Sequence, residues 1–108
     1  PGARSSNRHW HSQEDEFLWM LDGVAVVVEE AGEYQITSGD AVCWPAGAPN
    51  GHMVVNRSDA PCRFLIVGTR SQNDICTYPD LKRTLFNEGP DWRLVDDETG
   101  AIIKQGTR

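Results

Sequence analysis

The chain has 108 residues, a formal net charge of −6 and an apolar content of 39%. This length predicts one folded domain. The negative charge argues against non-specific binding to nucleic acid or to anionic membrane surfaces. No apolar stretch approaches the roughly 20 residues of a membrane-spanning helix, so we expect neither a nucleic-acid partner nor a membrane partner.

Strand signals dominate the chain from residue 16 to about residue 78. The predicted strands are Glu16–Asp22, Val24–Glu30, Glu33–Thr37, Ala41–Trp44, His52–Asn56 and Cys62–Thr69. They are rich in β-branched and aromatic residues, and turn-forming residues separate them at intervals of about 8–12 residues. This spacing is typical of an antiparallel sandwich or barrel, so the predicted fold class is all-β.

The C-terminal part of the chain is more polar. A weak helix signal covers Leu81–Phe86, and Leu94–Val95 and Ala101–Ile103 are predicted to pair as a final hairpin. We therefore expect a single domain over residues 1–108, with a barrel core over about residues 8–78. A polar extension follows over about residues 79–108.

The three cysteines, Cys43, Cys62 and Cys76, are widely spaced and form no CxxC pair. Neither a zinc ribbon nor a thioredoxin-like redox site is indicated. We interpret them as buried free thiols, which predicts a reducing, cytoplasmic environment.

Two of the three histidines, His9 and His11, lie two residues apart near the start of the chain. Residues i and i+2 of a strand point to the same face, so both imidazoles can reach one point while Trp10 faces away. Neutral imidazole is a common metal ligand. The pair alone leaves two readings open: metal ligands, or polar residues on a solvated strand.

Glu16 and His52 are the further candidates. A polar turn after His11 places Glu16 at the start of the next strand, with Leu18 and Met20 on the same inward face. His52 follows a loop rich in glycine and proline. Three imidazoles and one carboxylate form a mixed nitrogen and oxygen site with open positions, which suits a catalytic metal better than a structural one.

The spacing of these residues resembles the first sequence motif of the cupins, roughly G-x5-H-x-H-x3-4-E-x6-G. This chain has Gly2, His9, His11, Glu16 and Gly23 in that order. The gap before His9 is one residue longer than in the family, and that extra residue falls in a loop, where insertions are tolerated.

A second stretch resembles the second cupin motif, roughly G-x5-P-x-G-x2-H-x3-N. This chain has Gly39, Pro45, Gly47, His52 and Asn56. The gap between Gly47 and His52 is two residues longer than in the family. These extra residues fall in the loop before His52, so the length of that loop bears on the position of His52. We expect Asn56 to order the end of its strand rather than to contact a metal.

The resemblance implies a cupin-type double-stranded β-helix, which is a jelly-roll-like barrel. Cupin barrels usually carry strands before the first motif, whereas only eight residues precede His9 here. Either N-terminal strands are lacking because the chain is a fragment, or another subunit supplies the missing edge.

The resemblance also implies that His9, His11, Glu16 and His52 bind a divalent metal ion, which can be iron, manganese, nickel, zinc or copper.

The chain further resembles small bacterial cupins of unassigned activity. We expect a metalloenzyme that acts on a small polar molecule, by dioxygenase-like or sugar-isomerase-like chemistry, with Glu16 as a catalytic base if it leaves the metal. The alternative is a non-catalytic module that binds or senses a small ligand. We expect Trp19 to lie on an outer strand face. Because aromatic residues on such a face are often interface anchors, we also expect a homodimer.

Overall fold

The computed structural model describes residues 1–108 as eleven β-strands without a helix. The strands are β1 Trp10–His11, β2 Glu16–Asp22, β3 Val24–Glu29, β4 Gly32–Thr37, β5 Ala41–Trp44, β6 Met53–Val55, β7 Arg63–Gly68, β8 Ile75–Tyr78, β9 Arg83–Glu88, β10 Asp91–Asp96 and β11 Ile102–Thr107. The all-β prediction is confirmed. None of these elements is a helix of the length and apolarity that crossing a membrane requires.

The strands form three antiparallel sheets. One sheet has the order β1-β8-β9-β10-β11, the second β5-β2-β7 and the third β4-β3-β6. The segment before β1 runs beside β6, where Arg4 pairs with Val55 and His9 pairs with His52 as isolated bridges. His9 therefore lies where the sheet that ends in β6 meets the sheet that begins at β1.

The core lies between β2 and β3, whose inward residues alternate with outward ones as expected for strands covered on one face. Leu18 and Met20 of β2 and Val27 of β3 are completely buried. The other buried apolar residues of this cluster are Ala25, Ile36, Trp44 and Val54. The predicted inward face of Leu18 and Met20 is confirmed, and Glu16 begins the same strand face.

The predicted helix over Leu81–Phe86 is wrong. Leu81 and Lys82 form a turn in which Lys82 has a φ of 53°, and the chain then extends as β9. β9 pairs with β8 on one side and β10 on the other. The threonine and phenylalanine of "RTLF" suit such a strand, and the pairing on both sides satisfies the backbone that a helix would have satisfied internally.

The predicted C-terminal hairpin is confirmed and is longer than expected. β10 and β11 pair from Asp91 opposite Thr107 to Val95 opposite Ile102, with a bulge next to Leu94. Together with β9 they extend the sheet that begins at β1. β8 is the strand that connects β1 to this C-terminal part.

The expectation that all three cysteines are buried is wrong for Cys43. Cys76 is buried and Cys62 is half-buried, whereas Cys43 is exposed, and all three are free thiols. Cys43 lies opposite Phe17 in the pairing of β2 with β5. Both side chains lie on the outer face of that sheet because the inward positions belong to Leu18 and Val42.

Candidate metal centre

The three histidines and Glu16 converge on one point inside the barrel. The Nε2 atoms of His52, His11 and His9 lie 2.8, 3.3 and 3.6 Å from Oε1 of Glu16. His52 is buried, and the other three side chains are no more than 18% exposed. The structure thus brings together all four residues that the sequence pattern selected.

Backbone pairing sets this arrangement. His9 and His52 exchange both backbone hydrogen bonds, at 3.1 and 2.9 Å, so their side chains lie next to each other. The backbone N–H of Gly47 donates to the carbonyl of His11 at 2.9 Å, which ties the loop before His52 to β1. The two extra residues between Gly47 and His52 are accommodated in that loop and do not move His52 away from the centre.

Each imidazole is oriented by a hydrogen bond from its other ring nitrogen. Nδ1 of His9 lies 2.8 Å from the carbonyl of Asn7, and Nδ1 of His52 lies 3.0 Å from the carbonyl of Asn50. Because a carbonyl only accepts hydrogen bonds, both Nδ1 atoms carry a proton. Nδ1 of His11 lies 2.7 Å from Oδ2 of Asp74. All three Nε2 atoms therefore face the centre next to Oε1 of Glu16, where a bound metal ion would take the place of any Nε2 proton.

The donor set fits a single divalent ion. Two atoms that each lie about 2.1 Å from one ion are about 3.0–3.4 Å apart in octahedral or tetrahedral geometry. The distances from Oε1 of Glu16 to the three Nε2 atoms are 2.8, 3.3 and 3.6 Å, so one lies in this range and the other two lie 0.2 Å outside it. His9, Glu16 and His52 also offer ligand atoms within 4.8 Å of one another. Imidazole nitrogen with one carboxylate oxygen suits iron, manganese, nickel, zinc or copper.

The electrostatics of the centre couple Glu16 to the imidazoles. A hydrogen bond to Glu16 raises the pKa of His11 to about 9, against the effect of burial and with help from Asp74. Burial acts to raise the pKa of Glu16, but hydrogen bonds from His11, His52 and His9 outweigh it and lower that pKa strongly. Glu16 is therefore a carboxylate, and His11 carries a positive charge at neutral pH without a metal.

The neighbouring acids do not share this position. Glu14 has Oε1 3.9 Å from Nδ1 of His11, on the outer side of that ring, and accepts a hydrogen bond from the backbone of Ser71. Asp15 is exposed and accepts from the backbone N–H of Ala46. Among the three consecutive acids, only Glu16 reaches the Nε2 atoms.

Trp44 supports His52 from one side. The two rings are stacked with centroids 4.0 Å apart and an angle of 7° between their planes. The indole N–H of Trp44 donates to Glu29 at 2.7 Å, and the side-chain amide of Asn50 donates to the same oxygen at 3.0 Å. Since Asn50 also accepts from His52, Glu29 fixes two of the groups that hold this imidazole.

Three residues on one side of the centre, Asp74, Cys76 and Tyr78, are not among the site residues that the sequence predicts. Asp74 is 2% exposed, and Cys76 is buried beside His9 and His11. Burial raises the pKa of Cys76 to about 12 and that of Tyr78 further, so both keep their protons. The Tyr78 ring lies 5.8 Å from that of His9. These residues belong to β8 and its approach, where no local sequence pattern marks them.

Asn56 has the role expected of it. Its side-chain oxygen accepts from the backbone and the hydroxyl of Ser58, at 3.0 and 2.6 Å, and its amide donates to the carbonyl of Ala60 at 2.9 Å. Asn56 thus orders the turn after β6 and does not contact the centre.

Residues 1–68 match the sequence model of the family described as "Cupin domain". The protein therefore belongs to the cupins, and its sheets are those of a jelly-roll cupin barrel. Both the family and the fold predicted from the two motifs are confirmed. No curated protein matches the chain in sequence.

Two solved structures are similar to the chain over most of its length. One is described as a sugar phosphate isomerase of the cupin superfamily from Silicibacter pomeroyi, with 39% identity and a TM-score of 0.87 over 93% of this chain. The other is a putative sugar phosphate isomerase from Acidithiobacillus ferrooxidans, with 29% identity and a TM-score of 0.88 over 96% of this chain. This chain spans 64% and 66% of the lengths of those two proteins.

Proposed function

We propose that this chain is a metal-dependent cupin that acts on a small polar molecule, with sugar-isomerase-type chemistry. The observation that carries the proposal is the convergence of three histidine Nε2 atoms on Oε1 of Glu16. The descriptions of the two similar structures favour isomerisation of a sugar or sugar phosphate over dioxygenase chemistry.

In this proposal His9, His11, Glu16 and His52 hold one divalent ion, of iron, manganese, nickel, zinc or copper. A bound ion would supply Lewis-acid stabilisation of the negative oxygen that forms when a sugar loses a proton next to its carbonyl. The protein fixes the imidazoles through their Nδ1–H groups and limits water at the buried side, where His52 is packed against Trp44.

Glu16 is the proposed catalytic base. An aldose–ketose interconversion removes a proton from one carbon and returns it to the neighbouring carbon, and a single carboxylate can do both. While three imidazoles hold Glu16, its lowered pKa makes it a weak base. The role requires that Glu16 leave the imidazoles when substrate is bound, which raises its basicity.

One observation favours the alternative, a module that binds or senses a small ligand without turnover. The other carboxylates near the centre are already used by the protein. Glu14 accepts from the backbone of Ser71, and both oxygens of Asp74 accept hydrogen bonds from His11 and Gln13. If Glu16 stays on the metal, no free base remains beside it, and the site binds a ligand without transferring a proton.

The first experiment measures metal binding. The purified chain is stripped, titrated with each of the five metals, and its metal content is determined by elemental analysis. We expect one ion per chain, an affinity at least tenfold weaker for Glu16→Gln, and wild-type affinity for the matched control Asp15→Asn. Wild-type binding by Glu16→Gln would contradict the proposed ligand set.

The second experiment separates enzyme from binding module. Each metal-loaded form is incubated with aldose and ketose sugars and their phosphates in D₂O, and proton NMR follows interconversion and deuterium uptake. Isomerisation that is lost in Glu16→Gln supports the enzyme. Ligand-induced shifts without deuterium uptake, in all metal forms, support the binding module, and oxygen consumption would point to a dioxygenase instead.

Three broader proposals accompany this function. Residues 1–108 act as one domain, a barrel core with a C-terminal extension, because β8 pairs with both β1 and β9. The three free cysteines favour a cytoplasmic location. The exposed aromatic residues of β2 favour a homodimer.

A further inference from the structure

The three imidazoles of the centre are not oriented in the same way. Nδ1 of His9 lies 2.8 Å from the carbonyl of Asn7 and 3.2 Å from Oγ of Ser6, and Nδ1 of His52 lies 3.0 Å from the carbonyl of Asn50. Nδ1 of His11 instead faces the carboxylate of Asp74. Asp74 is 2% exposed and lies 63 residues away from His11 along the chain. A buried carboxylate is costly unless it is fully hydrogen-bonded, so this contact needs a physical account.

Asp74 is held rigidly. Oδ2 lies 2.7 Å from Nδ1 of His11, and Oδ1 accepts the backbone N–H of Gln13 at 2.9 Å. The backbone carbonyl of Asp74 accepts the N–H of Asn87 at 2.9 Å. Both carboxylate oxygens and the main chain are therefore engaged, and these hydrogen bonds hold the carboxylate toward His11.

The opposite edge of the His11 ring, at Nε2, lies near a second carboxylate that competes with Asp74 for the ring proton. Nε2 lies 3.3 Å from Oε1 of Glu16, so Glu16 can also attract the single proton of a neutral imidazole. Oε1 of Glu16 also lies 2.8 Å from Nε2 of His52, whereas Oδ2 of Asp74 lies 2.7 Å from Nδ1 of His11. Of the two acceptors, Asp74 holds the shorter hydrogen bond to His11.

We propose that Asp74 is a positioning residue that keeps the proton of neutral His11 on Nδ1 and leaves the Nε2 electron pair facing the centre. The inference rests on the proposed function only in that this electron pair would bind the metal ion. Asp74 does not touch the ion. It acts through His11, whose ring it orients and whose donor strength it raises.

The substitution Asp74→Asn tests this role without changing the size of the side chain. If the Asn oxygen faces His11, its NH₂ group meets the N–H of Gln13, and two donors oppose each other. If the amide is reversed, its NH₂ group donates to Nδ1 of His11 and forces the proton to Nε2. The reversed amide satisfies every hydrogen bond, with Glu16 as acceptor for the Nε2 proton. Asp40→Asn is the matched control, since Asp40 accepts a backbone N–H in an exposed turn away from the centre.

The first readout needs no metal. Long-range ¹H–¹⁵N NMR spectra of ¹⁵N-labelled protein report which ring nitrogen carries the proton, and a pH series in the same spectra identifies the pH above which His11 is neutral. The His11 signals are assigned by their loss in His11→Gln. We expect the Nδ1–H form in wild type and Asp40→Asn, and the Nε2–H form in Asp74→Asn. The Nε2–H form in wild type, or no change in Asp74→Asn, overturns the inference.

The second readout is zinc affinity by calorimetric titration. We expect Asp74→Asn to bind zinc about 10–100-fold more weakly than wild type and Asp40→Asn. Affinity within twofold of wild type overturns the inference. If wild type binds none of the five metals, the proposed function fails, while the metal-free NMR readout still decides the role of Asp74. If Asp74→Asn does not fold, the wild-type spectrum still tests the inference, because the Nε2–H form there overturns it.

Discussion

At the scale of single residues, the centre is a charge pair as long as no metal is bound. Glu16 is negative, and His11 carries a proton that it would lose near pH 6.5 as an isolated side chain. The pair is well shielded from water, because the two side chains are 17% and 18% exposed. The stability of the metal-free protein is therefore linked to the protonation of His11.

We predict that the metal-free protein loses stability as the pH rises from about 6.5 to about 9. The pKa of His11 is raised on folding, so its contribution is fully present below 6.5 and is lost as the pH passes through about 9. A pKa difference of this size corresponds to about 3 kcal/mol of unfolding free energy. Urea denaturation at several pH values measures it. His11→Gln is expected to show a flat profile over this range, and a sloped profile in that variant would contradict the assignment to His11.

Sequence pattern predicted most of the centre at this scale. Alternation along a strand places His9 and His11 on one face. The resemblance to the first cupin motif, through the distance to Gly23, distinguishes Glu16 from the two acids before it. Asp74 could not be predicted, because its role depends on the pairing of β1 with β8, which are far apart in sequence. A lone aspartate before a short strand carries no local signal of burial.

At the scale of strands and turns, the tight connection between β2 and β3 is a sensitive point. Gly23 has a φ of +81°, and a Cβ there would lie 2.7 Å from the carbonyl oxygen of Pro61 and 2.8 Å from Cα of Cys62. Those atoms belong to the backbone before β7, so they cannot move without shifting the strand. Gly39 has a similar φ of +91° with open space around it.

We predict that Gly23→Ala destabilises the protein more than Gly39→Ala. The positive φ alone costs about 1–2 kcal/mol at either position. At Gly23 the collision with backbone adds about 1–3 kcal/mol, as overpacking does elsewhere. Thermal and urea unfolding of the two variants measure the difference. Equal destabilisation would mean that the contact with Pro61 and Cys62 relaxes without cost.

Arg8 connects the segment before β1 to two other parts of the chain. Its guanidinium bonds to Glu30 at 2.6 Å, to Asp80 at 2.7 Å and to the carbonyl of Gly51 at 3.2 Å. The side chain is only 11% exposed, whereas Arg57, paired with Glu33 alone, is 51% exposed. The two arginines therefore form a matched comparison.

We predict that Arg8→Ala lowers the unfolding free energy by about 1–3 kcal/mol, because four hydrogen bonds of a shielded charge are lost. Arg57→Ala is expected to change it by less than about 1 kcal/mol, as for other exposed ion pairs. Chemical denaturation of both variants provides the measurement. A loss in Arg57→Ala that equals the loss in Arg8→Ala would show that shielding from water does not set the difference.

The strands before about residue 78 were easier to predict from the sequence than the strands that follow it. From residue 16 to 68 each strand is bounded by turn residues, and one face is apolar, so the period of two is visible. In β9 and β10 most side chains are half-buried on both faces, and no alternation results. The segment around "TLF" therefore predicts a helix, and the tail predicts a polar extension with one hairpin.

At the scale of the whole molecule, one surface is unusually apolar. On the outer face of the β5-β2-β7 sheet, Phe17, Trp19, Leu65 and Val67 are 38–54% exposed, and Trp19 lies opposite Leu65 in the pairing. β7 is also an edge strand with no neighbour on one side. Apolar sheet faces of this kind are typical of protein interfaces.

The homodimer stays a prediction, and this face is where we expect it to form. Light scattering coupled to gel filtration should give twice the monomer mass for wild type and the monomer mass for Trp19→Glu. The control Glu33→Ala changes an exposed residue of β4, outside this face, and should leave the mass unchanged. A monomeric wild type at all concentrations would contradict the prediction.

The partners of the three Nδ1–H groups also bear on how the centre can change in evolution. A backbone carbonyl is present whatever side chain its residue carries, so substitution at Asn7 or Asn50 does not delete the acceptor for His9 or His52. The acceptor for His11 is a side chain, and one nucleotide change can remove or replace it. The Oγ atom of Ser6 also lies 3.2 Å from Nδ1 of His9, but the carbonyl of Asn7 remains there whatever the side chains are. His11 is therefore the imidazole whose Nδ1 acceptor natural selection can delete by changing a single residue.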